Sequence, residues 1–187
     1  YLKKNWTLTV AAGQFTNHRL GGAADVKWRT LDGRWEVGAK AGLTVYSIVV
    51  DREWTITRKP KLDAKIYGRV YVPRWNTELT GEAFRFVYGD YGVKGSAVRH
   101  FGESTVGLYA LYTEGHVNGG FNFALPLPGR KYNRWKGMRL KPADYFTFEY
   151  GMEAGTEYKE KNLGVSYATT NWENRSHGFY QPEYIRG

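Results

Sequence analysis

The stretch Trp35-Glu36-Val37-Gly38-Ala39-Lys40-Ala41-Gly42-Leu43-Thr44-Val45-Tyr46 decides the fold. Trp35, Val37, Ala39, Ala41, Leu43 and Val45 hold one parity; Glu36, Gly38, Lys40, Gly42, Thr44 and Tyr46 hold the other. Side chains on a strand point alternately to opposite faces, so this segment has one apolar face and one polar face. The pattern returns with Leu62, Ala64, Ile66, Gly68, Val70 and Val72 against Asp63, Lys65, Tyr67, Arg69 and Tyr71. Strands of about 9–11 residues with this alternation have the length needed to cross a bilayer at a tilt. The expected fold is therefore all-β: an antiparallel up-and-down transmembrane β-barrel, or a segment of one.

Outward from this stretch, candidate strands cover residues 5–13, 23–30, 34–48, 52–58, 61–73, 78–89, 91–101, 104–114, 119–127, 144–154 and 162–172. Asp32-Gly33 suits a tight hairpin whose central residues both take positive φ. Arg58-Lys59-Pro60 interrupts pairing, because proline has no N–H to donate to a ladder. Phe101-Gly102-Glu103-Ser104 and His116-Val117-Asn118-Gly119 read as further short connections. No segment of normal helix length shows a 3.6-residue period. Regular strands with short links predict a meander of hairpins in a single domain over residues 1–187.

Composition agrees without deciding between membrane and water. The chain is 42% hydrophobic, and no run approaches the ~18 apolar residues of a membrane helix. Its mean hydropathy of −0.57 suits a soluble protein or a membrane barrel, since only alternate barrel residues meet lipid. Aromatic residues make up 17% of the chain, consistent with strands and with interfacial girdles. The absence of cysteine excludes disulfides, thiolate metal sites and a cysteine nucleophile. The opening Tyr1-Leu2-Lys3-Lys4 implies a mature or trimmed product, and the ending Tyr184-Ile185-Arg186-Gly187 implies a segment of a longer protein.

Between Glu114 and Asp144 no acidic residue occurs, and the connection from Pro126 to Ala143 carries Arg130, Lys131, Arg134, Lys136, Arg139 and Lys141, interleaved with Tyr132 and Trp135. Arginine offers forked hydrogen bonds to carboxylate and phosphate, and aromatic rings lie flat against sugar faces. This segment is the candidate contact for an acidic glycan or for lipid headgroups; the alternative is a solvated charged loop. The formal charge of +9 raises nucleic acid as a partner. Lys40, Lys65, Arg69 and Lys94, however, sit on polar strand faces, where they would line a cationic lumen that concentrates anions. Nucleic acid is accordingly not expected.

Asp90, flanked by Gly89 and Gly92, suits an inward salt bridge with Arg85 or Arg99. For catalysis, Glu149 with Glu153 and Asp63 with Glu82 are the carboxylate pairs that a glycosidase would need across a sugar. His18, His100, His116 and His177 show no metal spacing, and no serine sits in a nucleophile elbow. Neither a metal, a cofactor nor an enzymatic activity is expected.

The stretch from Tyr88 to Tyr150 resembles the YjbH-like family of outer-membrane β-barrel proteins associated with exopolysaccharide and capsule biosynthesis. The carrying residues are Gly89-Asp90-Tyr91-Gly92, Arg99-His100-Phe101, Gly120-Phe121, Pro126-Leu127-Pro128, and Arg139 through Pro142 before Tyr145-Phe146. They cover about a third of the chain and include no catalytic signature. The resemblance implies a non-enzymatic, porin-like component in the outer membrane of a Gram-negative bacterium, on the export route of an anionic exopolysaccharide. Outer-membrane lipid and other polysaccharide-export proteins would be its neighbours. The rival reading is a soluble, secreted β-sandwich that binds or cleaves anionic polysaccharide, its apolar parity packed on a second sheet.

Overall fold

The computed structural model describes residues 5–16, 18–56, 59–127, 134–135, 138–139, 145–152 and 155–167. The strands are β1 (Trp6–Thr16), β2 (Arg19–Arg29), β3 (Trp35–Val50), β4 (Glu53–Ile56), β5 (Lys61–Val72), β6 (Thr77–Arg85), β7 (Tyr91–Phe101), β8 (Ser104–Thr113), β9 (His116–Pro126), β10 (Arg134–Trp135), β11 (Met138–Arg139) and β12 (Tyr145–Met152). A six-residue helix, α1 (Gly155–Glu160), follows β12. Ten strands form one antiparallel sheet along the path β1-β2-β3-β5-β6-β7-β8-β9-β12, with β4 folded back on the end of β3. β10 and β11 make a separate two-stranded pair.

The sheet is all-β and antiparallel, as the alternation predicts, but it is not closed. Among the described residues β1 pairs only with β2, and β12 only with β9. The main path holds nine strands, so β1 and β12 run in the same direction. They could meet each other only as a parallel pair, whereas an all-antiparallel ring has an even strand count.

Register places whole rows of residues on one face. Asp25, Lys40, Lys65, Phe84, Gly92, Thr113 and His116 stand opposite one another across successive strands. On the other face, Trp35, Val70, Leu79, Ala97, Leu108, Phe121 and Tyr150 form the equivalent row. Exposure separates the two. Thr44, Asp63 and Thr113 are 0% exposed, while Ile66, Leu108 and Val117 are each 64% exposed. A flat single layer would expose both faces alike. This sheet must curl toward its polar side, which becomes the concave, inner face. The buried apolar set is small (Ala23, Phe86, Val87, Ala124 and Leu163), and buried polar and charged residues outnumber it. Soluble domains have the opposite distribution.

Tight curvature needs small residues beneath large ones. The Tyr67 ring lies across Gly38, where a Cβ would come within 2.4 Å of it, and its hydroxyl donates to Asp25 at 3.2 Å. Tyr109 lies likewise across Gly120 and Gly151, bridging β9 and β12.

Local differences from the sequence reading have local causes. The Asp32-Gly33 hairpin is wider than a two-residue turn, and only Gly33 has positive φ, at 70°. Thr30 bonds reciprocally with Trp35 around the loop, and the Asp32 carboxylate accepts the Arg34 N–H at 3.1 Å. That carboxyl is held below its ordinary pKa, first by the Thr30 hydroxyl and then by the Arg34 amide. β6 ends at Arg85 rather than 89, because the Phe86 N–H bonds to the Asp90 carbonyl at 2.8 Å and closes a turn. No strand begins at 162: residues 161–164 form a turn after α1, and 168–172 lie outside the described residues.

Candidate functional site

Two features of the inner face can act chemically: a ladder of charges across its middle and a strap across one end. The ladder follows from register. Arg29, Glu36 and Arg69 fall in one row, and Arg29 donates to Glu36 Oε2 through Nη2 at 3.0 Å and Nε at 3.2 Å. Arg69 forms ion pairs with Glu78 at 3.0 Å and Glu36 at 3.8 Å. Glu78 also faces His100, at 3.9 Å. Further along the same face, Lys65 donates to Glu82 in the neighbouring row at 2.9 Å, and both side chains are buried. Buried charges persist only when paired and hydrogen-bonded. The polar parity does carry Lys40, Lys65, Arg69 and Lys94, yet Asp25, Glu36, Glu78 and Glu82 stand among them. The wall is a mosaic of both signs, not the uniformly cationic surface the lysines alone suggested.

The second feature uses α1 and the residues after it. Glu157 and Lys161, one turn apart, form an exposed ion pair. It holds the Glu157 carboxyl below its ordinary value, chiefly through the Lys161 hydrogen bond, and raises the Lys161 ammonium. His116 packs edge-on to Tyr158 and lies 3.9 Å from Glu157, which anchors α1 beside β9. Asn162 and Gly164 take positive φ, so the chain reverses there instead of continuing as helix or strand. It then crosses the inner face. The Gly164 N–H donates to Asp90 Oδ2 at 2.8 Å, the Val87 N–H to the Val165 carbonyl at 3.0 Å, and the Tyr167 N–H to Asp63 Oδ2 at 3.1 Å. Leu163 is buried beneath it. The Arg19 guanidinium stacks on the Tyr167 ring at 4.7 Å and on Tyr46 at 5.7 Å. Residues 155–167 thus reach from β9 to β2, over the end of the sheet that holds the β6–β7 and β8–β9 turns.

The expected salt bridge among Arg85, Asp90 and Arg99 is not formed. Arg85 stands opposite Ala64 and Tyr91, on the outer parity, and donates to the Leu62 carbonyl at 2.7 Å. Arg99 stands opposite Val106 and stacks on Phe101 at 5.2 Å. Asp90 is buried in the β6–β7 turn and serves the strap. Arg85 and Arg99 face away from it because strand parity, not sequence proximity, sets direction.

Of the basic segment, the backbones of Arg134, Trp135 and Arg139 lie in β10 and β11, where Arg134 stands opposite Arg139. Arg130, Lys131, Lys136 and Lys141 lie outside the described residues. The connection joins β9 to β12 at the end of the sheet opposite the strap.

Asp63 and Glu82 do not face each other across a common gap. Asp63 stands four residues from Tyr67, the partner of Glu82, a separation of about 13 Å along the strand, and Glu82 is committed to Lys65. Glu153 lies outside the described residues. Among the described residues no cluster of His, Asp or Glu could hold a metal ion. The ladder and the strap were the functional arrangements that sequence reasoning missed. Polar-parity charges signalled the ladder, but their pairing required the register. Comparison with family models, curated proteins and solved structures finds no match.

Proposed function

We propose that this chain is an outer-membrane β-barrel, or a segment of one, whose inner face forms part of a passage for an anionic exopolysaccharide. One observation carries the membrane reading: the sheet buries its charges and exposes its apolar side chains. Trp6, Leu8, Val10, Trp35, Val37, Leu43, Ile66, Leu79, Val93, Leu108, Val117, Phe121, Phe146 and Phe148 are exposed, and all belong to one continuous face. Soluble monomers rarely present an apolar patch wider than a few hundred Å². Hydrocarbon is the solvent that makes such a face stable, because backbone groups are satisfied within the ladder and only apolar side chains meet lipid.

The same face bears on the rival sandwich, which needs a second sheet packed about 10 Å away on the apolar side. Among the described residues no second layer covers that side; the only segment crossing the sheet, 155–167, lies on the polar one. The export role rests on the resemblance over residues 88–150 and on the basic connection. No catalytic step is assigned to it.

Membrane extraction tests the barrel. The protein should resist release by carbonate or high salt, require detergent, and migrate differently on gels before and after heating. Recovery in the aqueous supernatant without detergent would end this reading. For the glycan, replacing Arg134, Lys136 and Arg139 together with Gln should weaken retention on an immobilised acidic polysaccharide, most strongly at low salt, where charge effects are least screened. Retention unchanged at low salt would remove the basic segment from the route.

A further inference from the structure

We propose that residues 155–167 are a gate: a strap pinned across one mouth of the curled sheet, whose detachment opens the inner passage. The inference rests on the barrel reading and concerns a segment that reading does not need. A strand following β12 would have extended the sheet. Instead the chain turns inward at α1 and traverses the polar face, touching β9 at His116, the β6–β7 turn at Val87 and Asp90, β5 at Asp63, and β2 at Arg19.

The attachment is built to hold and to release. Its fastenings include backbone N–H groups on two buried carboxylates, one backbone bond and the Arg19 guanidinium on the Tyr167 ring; among the described residues the buried apolar side chain in the strap is Leu163. Apolar burial is spread over a surface and resists detachment piecemeal, whereas a few charge-assisted hydrogen bonds are localised and can break as a unit. α1 itself is exposed except for Tyr158, which is half-buried beside His116, and the chain enters α1 at Gly155, where φ is +73°.

The test is solute flux into vesicles of neutral phospholipid carrying the full chain, with a neutral disaccharide as the probe. Asp63→Ala and Asp90→Ala each remove one charge-assisted acceptor, which should raise the detached population about tenfold per fastening, and flux should rise with it. Val87→Cys with Val165→Cys, oxidised, should tie the strap down and hold flux below wild type until a reductant restores it. Heat-dependent migration of each variant reports separately whether the barrel is intact and inserted. Inserted, heat-modifiable protein whose flux is the same in wild type, the alanine variants and the oxidised double-cysteine variant overturns the gate while leaving the barrel standing. Failure to insert at all sinks the barrel reading instead.

Discussion

The two faces of this sheet share one backbone, one set of hydrogen bonds and one curvature, yet they are stabilised by opposite means. On the inner face, Lys65 and Glu82, or Arg69 and Glu78, are buried and hold each other in place. On the outer face, side chains one residue away, Ile66 and Leu79, stand exposed with little protein around them. The inner face is therefore internally complete, and the outer face is complete only in a suitable solvent. A substitution on the first should act in any medium, while one on the second should act according to what surrounds it.

The largest effect is expected inside. Lys65→Met takes from the buried Glu82 carboxylate the ammonium that donates to it at 2.9 Å, which should cost about 3–5 kcal/mol. Adding Glu82→Met should recover most of that loss, because no charge is then stranded. Denaturant unfolding in lipid vesicles of the two single variants and the double measures the coupling; additive losses would mean that the pair is wetted and weakly coupled.

Next comes the outer face. Ile66→Arg should cost about 2–4 kcal/mol in a bilayer if residue 66 lies near the midplane, whereas an exposed apolar side chain in water can be replaced for about 0.5 kcal/mol or less. Unfolding titrations of the variant in vesicles decide between these, and a loss within the smaller range would break the contrast between the faces.

A smaller effect is expected where curvature depends on an aromatic ring lying over glycine. Tyr109→Ala uncovers Gly120 and Gly151 together and should cost about 1–3 kcal/mol, less than a core ring because Tyr109 is only half-buried. Amide exchange should rise in β9 and β12 and stay unchanged in β1 and β2. Uniform exchange across the sheet would show that the ring holds no local curvature.

The smallest effect is electrostatic. The Glu157 carboxyl, depressed below 4.5, contributes stability to α1 that is present above 4.5 and lost as pH falls through its lowered value. Lys161, raised above 10.5, contributes below 10.5 and loses its contribution as pH rises through the raised value. Amide exchange in α1, corrected for its intrinsic pH dependence, should therefore be slowest between these limits. The pair is exposed, so the difference should be slight and should vanish at high salt.

Much of this contrast is legible in the amino-acid order. Period-two alternation over 35–45 and 61–72 assigns residues 35–45 of β3 and the whole of β5 to a face without any structure, and β7 and β8 fall within a residue of their expected bounds. Partnership is less legible. Glu82 meets Lys65 because the β5–β6 turn sets Tyr67 opposite Glu82, and one residue of slip would put the two side chains on opposite faces. Arg85 illustrates the point: it shares a parity with Ala83, which already marks it as outward, although its nearness to Asp90 in sequence suggests an inward bridge. The strap is illegible for another reason. Leu163, Val165 and Tyr167 alternate as a strand does, but positive φ at Asn162 and at Gly164, which lies against the Tyr158 hydroxyl, turns them across the sheet.

The contrast between the faces meets its most direct test in spin labels placed singly at Ile66, Leu108 and Val117 on one side and at Thr44 and Thr113 on the other, in protein reconstituted into vesicles. Collisional relaxation by oxygen and by a water-soluble nickel chelate should favour oxygen at all three outer sites and suppress both relaxants at the two inner ones. Outer labels relaxed more by the nickel chelate than by oxygen would place those side chains in water, and the membrane account would fail.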